Sequence, residues 1–141
     1  MCGIIGITSN KLVSSPIINS LKKLEYRGYD SAGIATIDSG FIKEVKCEGR
    51  VESLEEAVSK SKLTGNVGIG HVRWATHGIP NTINAHPHSS ENVSVVHNGI
   101  IENSTLLKKF LVNKGHKFKS QTDTEVIAVS YTHLTLPTSR S

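Results

Sequence analysis

The second residue of the chain is a cysteine, in the opening stretch "MCGIIGI". Aminopeptidases remove an initiator methionine that precedes a small residue, and removal of Met1 leaves Cys2 with a thiol and a free α-amine. An α-amine titrates near ~7.7–8.0, so a useful fraction is neutral at physiological pH and can take the thiol proton. One residue then holds both nucleophile and base, as in N-terminal threonine nucleophiles. The plain alternative is a small buried residue at the start of a strand. Cys47, in the alternating "FIKEVKCEG", has no such setting and reads as a packing residue.

A thiolate attacking a carbonyl needs donors for the oxyanion that develops. "HNG" at 97–99 can supply them through the Asn98 side-chain amide and the Gly99 backbone N–H. Asn-Gly is also a strong hairpin signal, and taken alone the turn reading is preferred. In "HVRWATHG", residues 71–78, Arg73 follows an apolar run. An arginine at a strand end can grip a carboxylate with two parallel hydrogen bonds, or it can pair with a structural carboxylate while Trp74 joins the core. Asp123 in "QTDTEV" can hold an ammonium group or cap a helix. Arg27 and Gly28 open "RGYDSAG", which reads as a helix stop and tight turn. His86 and His88 have metal-compatible spacing, but no cysteine or carboxylate lies close by, so a solvated loop is expected there. Gly68 and Gly70 lack the third glycine and helix start of a dinucleotide fingerprint.

Elements of ordinary kind must position these groups. "CGIIGIT" predicts a buried strand. Ser15 as cap, Pro16 at the first helical position and Ile17, Leu21 and Leu24 at helical spacing predict a helix that Gly28 stops. "AGIATI" and "FIKEVKCEG" predict a hairpin through "DSG". Ser53 and Glu56 have capping-box spacing before a short apolar face. "VGIGHVRWA" and "VSVVHNG" are strand-like. "NSTLLKKFLVNKG" predicts a helix with Leu106, Leu107, Phe110 and Leu111 on one side and Gly115 at its end. Thr122 and Glu125 form a second capping-box pattern, so a helix is expected from "TDTEVIA". After Ala128 the period is lost in "VSYTHLTLPTSRS", and that segment is expected to be foreign to the fold.

The 141 residues suffice for one domain with a core, at 37% hydrophobic and 20% charged residues. The net charge of +4 is dispersed, with pairs such as Lys22-Lys23 and Lys108-Lys109 but no basic run, which argues against a nucleic-acid partner. Two cysteines without a C-x-x-C spacing argue against a disulfide framework. No apolar stretch reaches membrane-spanning length, and "CGIIGI" is too short for a signal-peptide core, so a cytoplasmic location is expected.

Taken together, "MCGIIGI", "LEYRGYDSAG", "RWATHG", "NAHPH", "VVHNGIIEN" and "TDTEVIA" resemble the class II glutamine amidotransferases of the N-terminal nucleophile hydrolase superfamily. The resemblance runs over residues 1–128, and "RGYDSAG" with "RWATHG" favours the glutaminase domains of the glucosamine-6-phosphate synthase type. It implies an α+β fold, an α-β-β-α sandwich of two stacked antiparallel sheets. That sandwich would be truncated here, with residues 129–141 a non-native tail and the sugar isomerase domains absent. It implies that Cys2 attacks the side-chain amide of L-glutamine, with Asn98 and Gly99 as the oxyanion hole. Arg73 and Asp123 would hold the substrate carboxylate and ammonium, Trp74, Thr76 and His77 would line and close the pocket, and Arg27 and Gly28 would support it. No metal or cofactor is implied. Fructose 6-phosphate would enter only through the missing domains, in a parent protein that is a homodimer or higher. The alternatives are a non-catalytic anion-binding module and a hydrolase of another amide. A pairing of Arg73 with Asp123, which suits a free amino acid, argues against the second.

Overall fold

A computed structural model describes residues 2–75 and 78–134 of the chain. Met1, Thr76, His77 and residues 135–141 lie outside that set, so the expectations placed on Thr76 and His77 concern undescribed residues. The elements run β1 (Gly3–Thr8), α1 (Ser14–Leu24), β2 (Ser31–Asp38), β3 (Phe41–Glu48) and α2 (Val51–Ser61). Then follow β4 (Val67–Arg73), β5 (His88–Ser90), β6 (Val93–Val95), α3 (Ser104–Asn113) and α4 (Glu125–Leu134). A four-stranded antiparallel sheet has the order β1-β4-β2-β3, and β5 pairs with β6 in a second sheet. No helix among the described residues is long and apolar enough to cross a membrane.

Period-2 alternation divides the large sheet into two faces. One face carries Ala32, Ile34 and Val72, with Ile5, Ile7, Val45 and Cys47 against them, and packs under Ile17, Ile18 and Leu21 of α1 and Leu54 and Val58 of α2. Cys47 is therefore half-buried against the core, as its strand pattern predicts. The other face carries Gly33, His71 and Arg73 and meets β5, β6 and the segment leading into β5. Behind that second sheet Val126 and Val129 of α4 pack on Leu111 of α3. The layering is helix, sheet, sheet, helix, the sandwich that the family resemblance implies. The small sheet covers only part of the inner face: Ile4, Ile37 and Val67 stay 40–45% exposed.

The β2–β3 hairpin closes through Ser39 (φ 53°) and Gly40 (φ 81°), the left-handed pair that a two-residue hairpin turn requires. Gly33 serves a different need. A Cβ there would lie 1.9 Å from the His86 carbonyl oxygen, so the absent side chain is what lets the 84–88 segment seat on β2.

Several local expectations give way to tertiary contacts. α1 begins at Ser14, without a side-chain cap from Ser15. α2 begins at Val51 rather than at the Ser53/Glu56 box, because the Glu25 carboxylate accepts the Val51 N–H at 2.8 Å. In α3 Leu111 is buried, yet Leu106 and Phe110 are exposed, so the apolar face is narrower than the spacing suggests. Residues 86–88 are not a solvated loop: His86 is 6% exposed and His88 3%, and His88 opens β5. Asn98 and Gly99 form no hairpin turn but lie in the connection from β6 to α3. The expected break at Ala128 does not occur. α4 continues to Leu134, Val129 is buried against Leu111, and Thr132 Oγ1 donates to Ser90 O at 2.9 Å. Packing supplies what local propensity lacks.

The Gly33 contact sets a steric expectation. Gly33→Ala should lower stability by roughly 2 kcal/mol or more, since a backbone carbonyl cannot step aside like a side-chain tip. Gly6→Ala, whose added Cβ would meet nothing nearer than 3.9 Å, should stay within about 0.5 kcal/mol. Urea unfolding of both variants checks the contrast.

Candidate functional site

Antiparallel pairing of β1 with β4 sets Gly3 opposite Val72, which brings Cys2, just before β1, to the residues just after β4. The Trp74 N–H donates to Cys2 Sγ at 3.2 Å, and the thiol lies 3.5 Å from Trp74 O. Arg27 Nε donates to Cys2 O at 2.7 Å and so ties down the backbone that carries the thiol.

The Arg73–Trp74 peptide is pressed in place from below. A Cβ on Gly28 would lie 2.5 Å from Arg73 C and O and 2.8 Å from Trp74 N. Asp30 N–H donates to Arg73 O at 3.3 Å, and its carboxylate accepts the Ala75 N–H at 2.5 Å. The motif "RGYDSAG" thus forms the floor beneath the peptide that touches the thiol. Trp74 itself is half-exposed and meets Tyr29 edge-on, so it is not a core residue.

Cys2, Arg27, Arg73, Trp74, Asn98, Gly99 and Asp123 share the wall of one cavity of about 250 Å³. That volume is below the range of drug-sized ligand pockets and suits one small metabolite. Gly28 lies behind the wall. Arg73 is 2% exposed and donates to the Gly78 and Ile79 carbonyl oxygens, both at 3.2 Å. Burial pushes its guanidinium pKa down, opposed by the charges of Asp30, Cys2 and Asp123, and it remains a cation. Asp123 Oδ2 accepts the Ile101 N–H at 2.7 Å, which leaves its carboxylate further acceptor capacity. One buried cation and one buried anion on the same wall match a zwitterion.

The expected capping box of Thr122 and Glu125 is replaced by a different arrangement. Glu125 accepts from Lys119 N, Ser120 N and Ser120 Oγ at 2.6–2.8 Å. Thr122 Oγ1 lies 2.7 Å from His88 Nε2 and 3.1 Å from Ser120 Oγ. Asn84 and Gln121 exchange bonds at 2.8 and 2.9 Å, which fastens the 78–84 loop to the loop carrying Asp123. Each buried polar group here has partners, the condition for such a network to stabilise rather than destabilise.

Three imidazoles fill the space between the sheets. His71 and His86 stack with centroids 4.0 Å apart, and His86 meets His88 edge-on at 4.7 Å. Burial lowers the pKa of all three, to about 4 for His71, about 3 for His88 and lower again for His86. They are neutral at physiological pH. Among the described residues no group of three or more His, Cys, Asp or Glu side chains is placed to hold a metal ion. His86, His97, Ile100, Thr122 and Thr124 also line the cavity, and the sequence does not single them out as pocket-forming, nor does it single out His71 behind the wall. For His71 a signal existed, since it stands two residues before Arg73 on the same strand face.

The family model described as "Glutamine amidotransferase domain" matches residues 57–137. A glutamine–fructose-6-phosphate aminotransferase [isomerizing] of Bartonella henselae is 55% identical over 128 residues, 91% of this chain and 21% of the relative. One of Clostridium acetobutylicum is 55% identical over 129 residues, with 90% and 21% covered. The chain therefore spans about a fifth of the length of these relatives. Among solved structures, the glutamine phosphoribosylpyrophosphate amidotransferase of B. subtilis superposes with a TM-score of 0.79 at 30% identity, over 94% of this chain and 29% of that one. A structure titled as the allosteric regulatory enzyme of purine biosynthesis gives 0.80 at 31% identity, over 94% and 30%.

The buried imidazoles carry a pH dependence of stability. In the unfolded chain each binds a proton near the ordinary 6.5, whereas folded His71 stays neutral down to about 4 and His88 to about 3. Unfolding takes up protons in that window, so stability is full above about pH 7 and falls with acidification. Each imidazole contributes up to about 1.4 kcal/mol per pH unit. Urea midpoints should drop steeply from pH 7.5 to 5; an unchanged or rising midpoint would contradict neutral burial.

Proposed function

The chain belongs to the glutamine amidotransferase domain family, and on that premise we propose that it hydrolyses the side-chain amide of L-glutamine through Cys2. The observation that carries the reading is the Cys2 thiol on the Trp74 N–H, in one cavity with Asn98, Gly99, Arg73 and Asp123. Arg73 grips the substrate α-carboxylate, and Asp123 takes the α-ammonium. These two contacts select a free amino acid, and they orient its side chain toward Cys2. Trp74 lines the mouth, and Arg27 and Gly28 hold the nucleophile and the neighbouring peptide in place.

In the chemical step the Cys2 sulfur bonds to the amide carbon, and its proton passes to the α-amine that removal of Met1 exposes. Negative charge develops on the amide oxygen, where the Asn98 side-chain N–H and the Gly99 backbone N–H receive it. The amine returns the proton to the leaving nitrogen, the carbon–nitrogen bond breaks and ammonia departs. Water then attacks the γ-glutamyl thioester, releasing glutamate and restoring the thiol.

The aminotransferase relatives, by their names, act on fructose 6-phosphate as well as glutamine. The high identity across nine-tenths of this chain supports the same assignment, with ammonia passed to a sugar phosphate bound outside these 141 residues. Mild basicity alone would also suit an anion-binding module, but the thiol and its donor hydrogen bond have no part in that alternative.

Two measurements test the reading in the full-length protein. A glutamine-mimicking diazoketone should label Cys2, in material whose intact mass lacks Met1, while Cys47 stays unmodified; labelling of Cys47 alone overturns the assignment. Asn98→Ala should slow kcat by roughly 10²–10³, the usual loss for one oxyanion donor, with KM for glutamine little changed. A large rise in KM at unchanged kcat would make Asn98 a binding residue instead.

A further inference from the structure

Asn98 can serve an oxyanion only if its amide presents nitrogen, not oxygen, to the cavity. A primary amide is nearly symmetric in shape, and a half-turn about its last bond exchanges donor for acceptor. Something must choose between the two orientations. Asn98 is exposed on the cavity wall, so packing around its own side chain does not choose.

We propose that His71 is the positioning residue that fixes the orientation of the Asn98 amide, by donating its Nε2–H to Asn98 Oδ1. The inference rests on the glutaminase reading above. The two atoms are 2.9 Å apart, and they join the middle of the large sheet to the β6–α3 connection. His71 Nδ1 is buried without a hydrogen-bond partner. Were the proton on Nδ1, a buried donor would be left unpaired, at the full desolvation cost of that group. With the proton on Nε2, only a lone pair lacks a partner. The environment thus favours the Nε2–H tautomer, and the side-chain acceptor it meets, beside the His97 backbone that also bonds the ring, is Asn98 Oδ1, which is thereby held inward. Nδ2 is left to the cavity, where it donates to no group among the described residues.

The ring that makes this choice is itself immobilised. His71 is completely buried, sits in the register of β4 opposite Ile4 and Gly33, and is stacked against His86. It does not reach the cavity wall, so it acts only through Asn98. Two residues on, the same strand face delivers Arg73, so one strand sets both a substrate grip and the aim of the oxyanion donor.

The test compares His71→Gln with His71→Asn in the full-length protein. The glutamine amide nitrogen can occupy the position of the imidazole Nε2, whereas that of asparagine falls short, near Nδ1. His71→Gln should keep kcat for glutamine hydrolysis within about threefold, and His71→Asn should lower it about tenfold or more, with KM changed less than about threefold in both. In an Asn98→Ala background the two His71 variants should have nearly equal kcat, because the amide they aim is gone. Equal losses in both single variants, wild-type kcat in His71→Asn, or an undiminished difference in the Asn98→Ala background would each overturn the assignment. If His71→Asn does not fold, His71→Leu takes its place in both comparisons with the same expected outcomes. Loss of hydrolysis in Cys2→Ala is the separate control. A wild type that hydrolyses no glutamine defeats the functional reading, whereas an active wild type indifferent to His71 defeats only this one.

Discussion

The placement of β4 between β1 and β2 is the constraint on which the rest depends. Its alternation sends Val72 into the helix-covered core and His71 and Arg73 toward the second sheet. A slip of one residue would reverse every one of those assignments, burying an arginine under α1. The antiparallel register also brings the start of β1 to the end of β4. That is why a thiol at position 2 and a backbone donor at position 74 meet at 3.2 Å. The connection between them is not local, and no short motif contains it. It is held by ladder hydrogen bonds and by the core cluster around Ile17, Leu21, Ile34 and Leu54, all completely buried.

The inner face of the sandwich is polar for its position, and the way it avoids the usual penalty is instructive. Burying a charge without partners is costly, and burying a polar group is costly unless it is hydrogen-bonded. The three imidazoles meet the first condition by remaining neutral. Glu125 is ionisable and only 4% exposed, and it is met by three donors. Arg73 is met by two backbone carbonyl oxygens and flanked by Asp30 and Asp123. By contrast, the ion pairs Lys22–Glu55 and Lys60–Glu56 are solvated on both sides, and such pairs contribute little. The electrostatic organisation of the molecule is concentrated where the cavity is, and its purpose is geometric. Loops 78–84 and 119–124 are tied to each other and to β4, so the groups lining the cavity have few alternative positions.

Glycine has two distinct uses in this arrangement. In the β2–β3 turn it meets a dihedral requirement that most side chains resist. At Gly28 and Gly33 it meets a steric one, where another backbone passes so close that a single carbon would collide. The second use cannot be told from the first in a sequence, because residue type alone does not show where another backbone will pass.

Much of the site was legible in the sequence because its signals are carried by residue type. A cysteine at position 2, an arginine ending an apolar run, Asn-Gly and a lone aspartate before a helix each announce a chemistry, and the motifs together point to a family. The strands of the large sheet and the Ser39-Gly40 turn were legible because alternation and turn dihedrals are local properties. What the tertiary structure decided are the choices between local options. Thr122 and Glu125 have the spacing of a capping box, yet Thr122 bonds to His88, 34 positions away, and Glu125 to the backbone before it. Residues 129–134 have weak helical pattern, yet they stay helical because Val129 and Thr132 find partners on α3 and β5. His86 and His88 have the composition of a solvated loop, yet they are sealed between two sheets. In each case a contact between distant segments outweighed a local preference of about a kcal/mol, the usual size of a cap or propensity term. Local sequence can state such preferences, but only the packed chain can bring together the groups that override them.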